Sequence, residues 1–236
     1  MKSDFVSYVS HELRTPLTSI KMFAEMLAHP SMRLRRRARG HVQIIEGEAD
    51  RLGRMVTTIL DSARIEQGVR EYALVDTDLS AIVRKAMEVM AFQITQRDFS
   101  VRLSLPRGKV PLRADPDAVQ QAITNLVANA LKYSTGRKSL RVRVTQAAGT
   151  IRCSIADRGM GIHPDALPHL FERFYRDPSV KRKIQGVGLG LPLVRHIMDA
   201  HHGKVEVTST PGKGSTFTLI FPAPPPGDGP HLGGHS

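Results

Sequence analysis

Residues 5–27 read FVSYVSHELRTPLTSIKMFAEML, and their spacing decides how the chain begins. Phe5, Val9, Leu13, Leu17, Ile20, Ala24 and Leu27 recur every three or four residues, which lays one apolar stripe along a helix. At about 100° per residue the stripe centres near ~60°, and His11 falls near ~240°, on the opposite face. A first helix of about 25 residues is about 38 Å long. His29-Pro30-Ser31 breaks the pattern, and a second stripe follows at Val42, Ile45, Ala49, Leu52, Val56, Ile59 and Ala63. Two antiparallel helices joined by a basic loop cannot cover both stripes alone. Two hairpins from two chains make a four-helix bundle that does. The sequence therefore predicts a homodimer through residues 1–67; the alternative is that the hairpin packs on its own C-terminal domain.

From about residue 70 the pattern changes. Val101, Leu103 and Leu105 alternate with polar residues, as do Val142 and Val144, and Ile151, Cys153 and Ile155. Asp115-Pro116 opens a helix with an N-cap and a proline at the first position. Leu189 to about Ala200 reads as another helix, with Gly203 where a C-terminal cap belongs. Val205 and Val207, then Phe217, Leu219 and Phe221, flank Thr210–Gly214 as a closing hairpin. The expected fold class is α+β: an antiparallel helical hairpin, then a two-layer α/β sandwich over residues 70–222. Residues 223–236, rich in Pro, Gly and His, read as a disordered tail.

The composition removes several function classes. Of 236 residues 41% are hydrophobic and 24% charged, so wholesale disorder is excluded. No apolar run approaches the roughly 18–20 residues of a membrane span, and no secretory signal opens the chain. The single cysteine, Cys153, excludes an internal disulfide framework and fits a reducing compartment. The net charge of +12 favours anionic partners. Part of it is local, in the cluster Arg33, Arg35, Arg36, Arg37 and Arg39 and in Lys181, Arg182 and Lys183. Aromatic residues are only 5% and Trp is absent, which argues against base-stacking platforms. Either cluster also reads as an ordinary solvated face.

Five stretches are candidates for chemistry. His11 lies on the polar side of the first helix; an unperturbed imidazole, with a pKa of about 6.5, is abundantly neutral at pH 7 and able to attack an electrophilic phosphorus. Glu12 can accept the proton of the other ring nitrogen, and Thr15 lies one turn on, on the same face. Pro16 bends the helix just beyond. A surface histidine with no chemistry is the bland alternative. Gln121, Asn125, Asn129 and Lys132 share one face of a second helix; Asn oxygens are hard ligands suited to Mg2+, and Lys132 can balance phosphate charge. An amphipathic helix with polar surface amides would show the same spacing. Asp157-Arg158-Gly159-Met160-Gly161 follows a strand, where an acid can accept from an exocyclic amine and glycines allow close backbone approach. Gly186-Val187-Gly188-Leu189-Gly190 runs into a helix, as an anion cradle does, although a turn reads the same. Gly212–Phe217 needs to be no more than a hairpin turn.

Asn125–Tyr133, Asp157–Gly161, Phe171–Arg176, Gly186–Leu191 and Gly212–Phe217 stand in that order behind Ser10–Leu17. Together they resemble the catalytic core of a two-component sensor histidine kinase, over roughly residues 3–222. The resemblance implies a dimerisation and phosphotransfer hairpin followed by a Bergerat-type ATP-binding domain. It makes His11 the phosphoacceptor, Glu12 its acid/base helper, and Thr15 the residue that supports dephosphorylation of a partner. Asn129, assisted by Asn125, matches the Mg2+ ligand, Lys132 a phosphate contact, and Tyr133 a flank of the adenine. Asp157 matches the adenine N6 partner, beside Gly159 and Gly161. Arg173 and Arg176 match phosphate-approaching arginines. Gly186, Gly188 and Gly190, with Thr216 of the last box, complete the ATP site, and residues 177–185 match a mobile lid. Related ATPases carry Glu at the point of Asn125, where the carboxylate activates water; a neutral amide cannot take that proton. The implied activity is ATP-dependent autophosphorylation of His11 and transfer to an aspartate of a response regulator, with phosphatase activity of the same hairpin. Arg158 and Met160 depart from the usual Asn and Pro of that box, and Pro192 enters the helix after the last glycine. A cytoplasmic location is expected, either alone or as the cytoplasmic part of a membrane-bound sensor kinase. Two other functions fit parts of the chain: an ATP-sensing scaffold, and a nucleic-acid-binding dimer using Arg33–Arg39.

Overall fold

The computed structural model describes residues 17–24, 26–27, 41–42, 45, 49, 52–53, 56, 65, 71–134, 136–147, 149–178, 184 and 187–223. Two compact units divide the chain: residues 1–70 with 172–193, and residues 71–171 with 194–236.

In the first unit every described residue from 17 to 65 is helical. The rings of Phe23 and His41 stand 5.1 Å apart, which brings the two helical stretches side by side, as a hairpin requires. Leu17, Val42 and Val56, all members of the predicted stripes, remain exposed in the single chain.

The second unit begins with strand β1 (Val75–Asp78) and helix α1 (Leu79–Gln96). Strands β2 (Ser100–Ser104) and β3 (Pro111–Ala114) precede helix α2 (Pro116–Tyr133). Strands β4 (Arg137–Ala147) and β5 (Thr150–Arg158) follow, then a 3-10 turn at Pro164–His169. Helix α3 (Gly190–Ala200), strand β6 (Lys204–Thr210) and strand β7 (Gly214–Pro222) complete the described chain. β1 and β3 form a small antiparallel pair; the main sheet has the order β2-β4-β5-β7-β6. β2 runs parallel to β4, and the other neighbours are antiparallel.

Alternation along each strand selects the face that packs. Val142, Ile155, Phe217 and Val207 lie in register across four strands, and Val144, Cys153, Leu219 and Val205 form the next row. Most of these side chains are buried, and α2 lies over β4 and β5 with α1 beside it. The opposite face carries Arg141, Arg143 and Arg152, the last bonded to Glu206 at 2.8 Å. Burial pushes the Cys153 thiol up to about 12, so it stays protonated and inert within the sheet. No described helix is long and apolar enough to cross a membrane. The tail residues 224–236 lie outside the described residues.

Two differences from the sequence reading have local causes. β2 ends at Ser104, so Leu105 is not part of it, and Val101 and Leu103 are exposed because β2 is an edge strand. The left-handed position after α3 is His202 (φ 53°), with Gly203 one residue later. The N–H groups of His202 and Gly203 donate to the carbonyls of Asp199 and Met198, closing a Schellman motif.

Candidate functional site

Helix α2 owes its start to Asp115, whose Oδ1 accepts from the Ala118 N–H at 3.0 Å, and to Pro116 at the first position. Ala118, Val119, Ala122, Ile123, Leu126, Val127, Ala130 and Leu131 are buried. Gln121, Asn125, Asn129 and Lys132 are therefore left on the other side, all half-buried. Among the described residues the side chains of Asn125 and Asn129 have no hydrogen-bond partner. The Lys132 ammonium lies 5.1 Å from the centre of the Tyr133 ring. Both residues belong to the last turn, where a cation also suits the helix dipole.

Asp157 lies near the end of β5, still paired with Leu140 of β4 but one residue past the last pair with β7. The Asp157 Oδ1 atom accepts from the Gly159 N–H at 2.7 Å, the Ser215 N–H at 3.3 Å and the Ser134 hydroxyl at 3.5 Å. Burial raises its pKa above the ordinary carboxylate value, and the hydrogen bonds only partly counter that. A side chain at Gly159 would strike the Tyr133 carbonyl, and Gly161 has φ 69° with the Thr210 carbonyl packed against it. Two backbone bonds finish the seam: the Met160 N–H donates to the Tyr133 carbonyl, and the Gly212 N–H to the Met160 carbonyl. Thr216 pairs with Ala156 and Thr208 beside it. Two sequence motifs, 157–161 and 212–217, thus supply donors to one carboxylate, and Ser134, the residue directly after the motif 125–133, supplies a third. Ser134, Ser209 and Ser215 were not singled out from sequence. Ser134 is buried against Asp157, and the Ser209 hydroxyl accepts from the Ile162 N–H at 2.9 Å. Only the direct succession of Ser134 to the helix motif, and of Ser215 to Gly214, hinted at them.

The remaining motifs meet one another locally. Phe174 has φ 64° and donates its N–H to the Gly188 carbonyl at 3.0 Å. The Arg176 guanidinium donates to the Ile184 carbonyl. Arg173 is exposed and Arg176 half-buried. Gly190 begins α3, and the Leu193 N–H donates to the Leu189 carbonyl. His11, Glu12, Thr15 and Gly186 lie outside the described residues.

A divalent cation fits the donor set of α2. Asn125 and Asn129 offer two amide oxygens one turn apart, and Mg2+ retains waters and phosphate oxygens for its other positions. Among the described residues no cluster of three His, Cys, Asp or Glu side chains competes for that role.

Comparison with known proteins gives a consistent result. Residues 1–68 match the family "His Kinase A (phospho-acceptor) domain". Residues 114–225 match "Histidine kinase-, DNA gyrase B-, and HSP90-like ATPase". The sensor-like histidine kinase SenX3 of Mycobacterium tuberculosis is 35% identical over 226 residues, covering 94% of this chain and 54% of SenX3. The phosphate regulon sensor protein PhoR of Pseudomonas aeruginosa is 35% identical over 227 residues, covering 94% of this chain and 50% of PhoR. The chain thus spans about half the length of these curated relatives. Among solved structures, the Acinetobacter baumannii histidine kinase AdeS superposes with a TM-score of 0.66 at 21% identity, over 90% of this chain and 98% of that one. Full-length ShkA in complex with AMPPNP also gives 0.66, at 24% identity, over 93% of this chain and 45% of that one.

Proposed function

Since the chain belongs to the two-component sensor histidine kinases and carries their catalytic core, we propose that it binds ATP with Mg2+, phosphorylates His11, and passes the phosphoryl group to an aspartate of a response regulator. The observation that carries the nucleotide reading is Asp157. It is a half-buried carboxylate whose pKa burial raises, and its Oδ1 accepts from Gly159, Ser215 and Ser134, which stand in or directly after three of the motifs. Such a group is poorly solvated without a partner, and an exocyclic amine supplies one. Its Oδ1 already holds three donors, so Oδ2 is the oxygen for the adenine N6.

Asn125 and Asn129 hold the cation, and Lys132 adds positive charge at the same end of α2. Arg173, Arg176 and the glycines at 186, 188 and 190 serve the phosphates, with Tyr133 beside the base and Thr216 completing the pocket. Mg2+, when bound, neutralises charge between the phosphates. Asn125 cannot deprotonate water, so the γ-phosphoryl group is kept for a protein nucleophile. In the transfer one His11 ring nitrogen bonds to the γ-phosphorus as the bond to the ADP oxygen breaks, and Glu12 accepts the proton of the other ring nitrogen. A phosphohistidine formed this way donates to a carboxylate of the regulator, and Thr15 serves the reverse, hydrolytic direction on the regulator. We take the two helical stretches to form the dimer, residues 1–67 of each chain contributing half of a four-helix bundle.

Incubation of the purified chain with γ-labelled ATP and Mg2+ tests this, beside His11→Gln and Asn129→Ala. The expected label is acid-labile and alkali-stable, absent from both variants, and chased onto a receiver domain. Label that survives His11→Gln, or its absence from a folded dimeric wild type that binds ATP, overturns the kinase assignment in favour of an ATP-sensing scaffold.

A further inference from the structure

The N-cap of α2, Asp115, is bonded through its backbone and both side-chain oxygens. Asp115 has four polar groups, and each has a named partner. Its carbonyl accepts from the Val119 N–H, and its Oδ1 from the Ala118 N–H. Its Oδ2 accepts from the Ala73 N–H at 3.2 Å. Its own N–H donates to Nε2 of His201 at 2.9 Å. That last donor is the one a glutamate or glutamine three residues into the helix would normally satisfy, in a capping box. Here the third helical residue is Ala118, which has no acceptor to offer. A histidine from beyond the end of α3 does the work instead.

His201 is 3% exposed, and its tautomer follows from its contacts. Nε2 accepts from Asp115, so the proton resides on Nδ1, which lies 2.7 Å from the Ile197 carbonyl. Burial holds its pKa below the ordinary histidine value, against the opposing pull of the Asp115 carboxylate; His202 adds in the same direction as burial. The Tyr72 ring meets His201 edge-on at 5.5 Å and His196 at 5.9 Å. Tyr72 and Ala73 are the residues by which the chain enters this unit from the hairpin segment. One neutral imidazole thereby ties three things together: the entering chain, the end of α3, and the start of the helix that carries Asn125 and Asn129.

We propose that His201 is a positioning residue for the nucleotide site, clamping the N-terminus of α2 to the entering segment at Tyr72–Ala73. This rests on the ATP-binding reading above. Asn125 lies ten residues, about 15 Å, along the helix from Asp115, so the seating of the first turn sets where the amides lie. Movement of the entering chain then reaches the amides through Ala73, Asp115 and His201.

The test uses the full chain, with amide exchange read residue by residue and Mg2+–AMPPNP affinity measured on the same samples. His201→Phe keeps an aromatic ring against Tyr72 and removes the acceptor. It should lower protection at Ala73 and Ala118 together by about tenfold and weaken nucleotide binding by about tenfold, the scale of one unsatisfied buried N–H. His201→Gln restores an acceptor at the position of Nε2 and should recover both. Unchanged protection in His201→Phe overturns the proposal, and so does lost protection with unchanged affinity, or failure of Gln to rescue. Should the Phe variant not fold, judged by exchange within β5 and β7, the wild-type ring nitrogens decide. A protonated ring, or a proton on Nε2, at pH 7 overturns the clamp. A wild type that keeps the clamp but binds no nucleotide would instead remove the ATP reading, leaving the two failures distinct.

Discussion

Burial raises the pKa of Asp157, so the folded chain holds that proton more tightly than the unfolded chain does. The linkage follows directly: the associated stability is fully present at low pH and is lost as pH rises through the folded value. Above the folded value the apo protein therefore carries an unfavourable charge that a ligand donor offsets. Asp157→Asn removes the charge but turns an amide N–H toward the adenine amine. The expected outcome is opposite signs: an apo melting temperature equal to or above wild type, and AMPPNP affinity at least about tenfold weaker. Calorimetry of both proteins checks this, and a fall in apo stability would remove the charge argument. His201 has the reverse sign. Its folded pKa is lowered, so the unfolded chain binds more protons just below about pH 6.5, and stability falls as pH drops through that window to the folded value. Melting temperatures of wild type and His201→Gln, compared between pH 7.5 and 5.5, should converge as the pH falls.

At the scale of elements, helix ends decide more than helix interiors. α3 ends in a Schellman motif whose left-handed residue is His202, and α1 ends in another with Asp98 at φ 54°. A side chain in that conformation costs about 1–2 kcal/mol, partly repaid by lower unfolded-state entropy. His202→Gly should thus stabilise the unit by about 0.5–1 kcal/mol in urea denaturation. Gly203→Ala should do the opposite by about 1–3 kcal/mol, since its Cβ would meet the Ile220 carbonyl and the Met198 methyl. This pair also marks the limit of the sequence reading. Gly203 does stand at the end of α3, but it is small for the sake of β7, a contact across the chain that no local pattern contains. The Asp115-Pro116 start, the alternation in β4, β5 and β7, and the hairpin at Thr210–Gly214 were legible because each depends on neighbours in sequence. Asp78 followed by Leu79, Ile82, Val83, Ala86, Met90 and Ile94 carries the same local signal for α1. The four-residue strands β1 and β3 are too short for alternation to register. Within the site, Asp157 and the amides were legible as motifs. Ser134 and His201 were not, because what they do is set by bonds spanning 23 and 86 residues.

For the whole molecule, the open question of covering two apolar stripes becomes a matter of exposed area. Leu17 is 57% exposed and Val42 and Val56 are each 42% exposed in the single chain, on stripes whose period demands a packed partner. Burying a Val or Leu side chain contributes about 1.5–3 kcal/mol, so a few such positions per chain, doubled by two-fold symmetry, suffice to hold a bundle together. A charge placed there reverses the term, because an unpaired carboxylate resists burial. Val56→Glu and Leu17→Glu should therefore halve the mass seen by light scattering at micromolar concentration. Positions 17 and 56 lie outside the residues proposed to bind nucleotide, so AMPPNP affinity should stay within about twofold of wild type, a difference well under one kcal/mol. His11 labelling should fall with the dimer if assembly of the bundle orders the phosphoacceptor helix. A wild type that is monomeric at the same concentration, or a Glu variant that stays dimeric, would show that the stripes are covered in some other way, and the packing of each hairpin on its own catalytic unit would then take the place of the dimer.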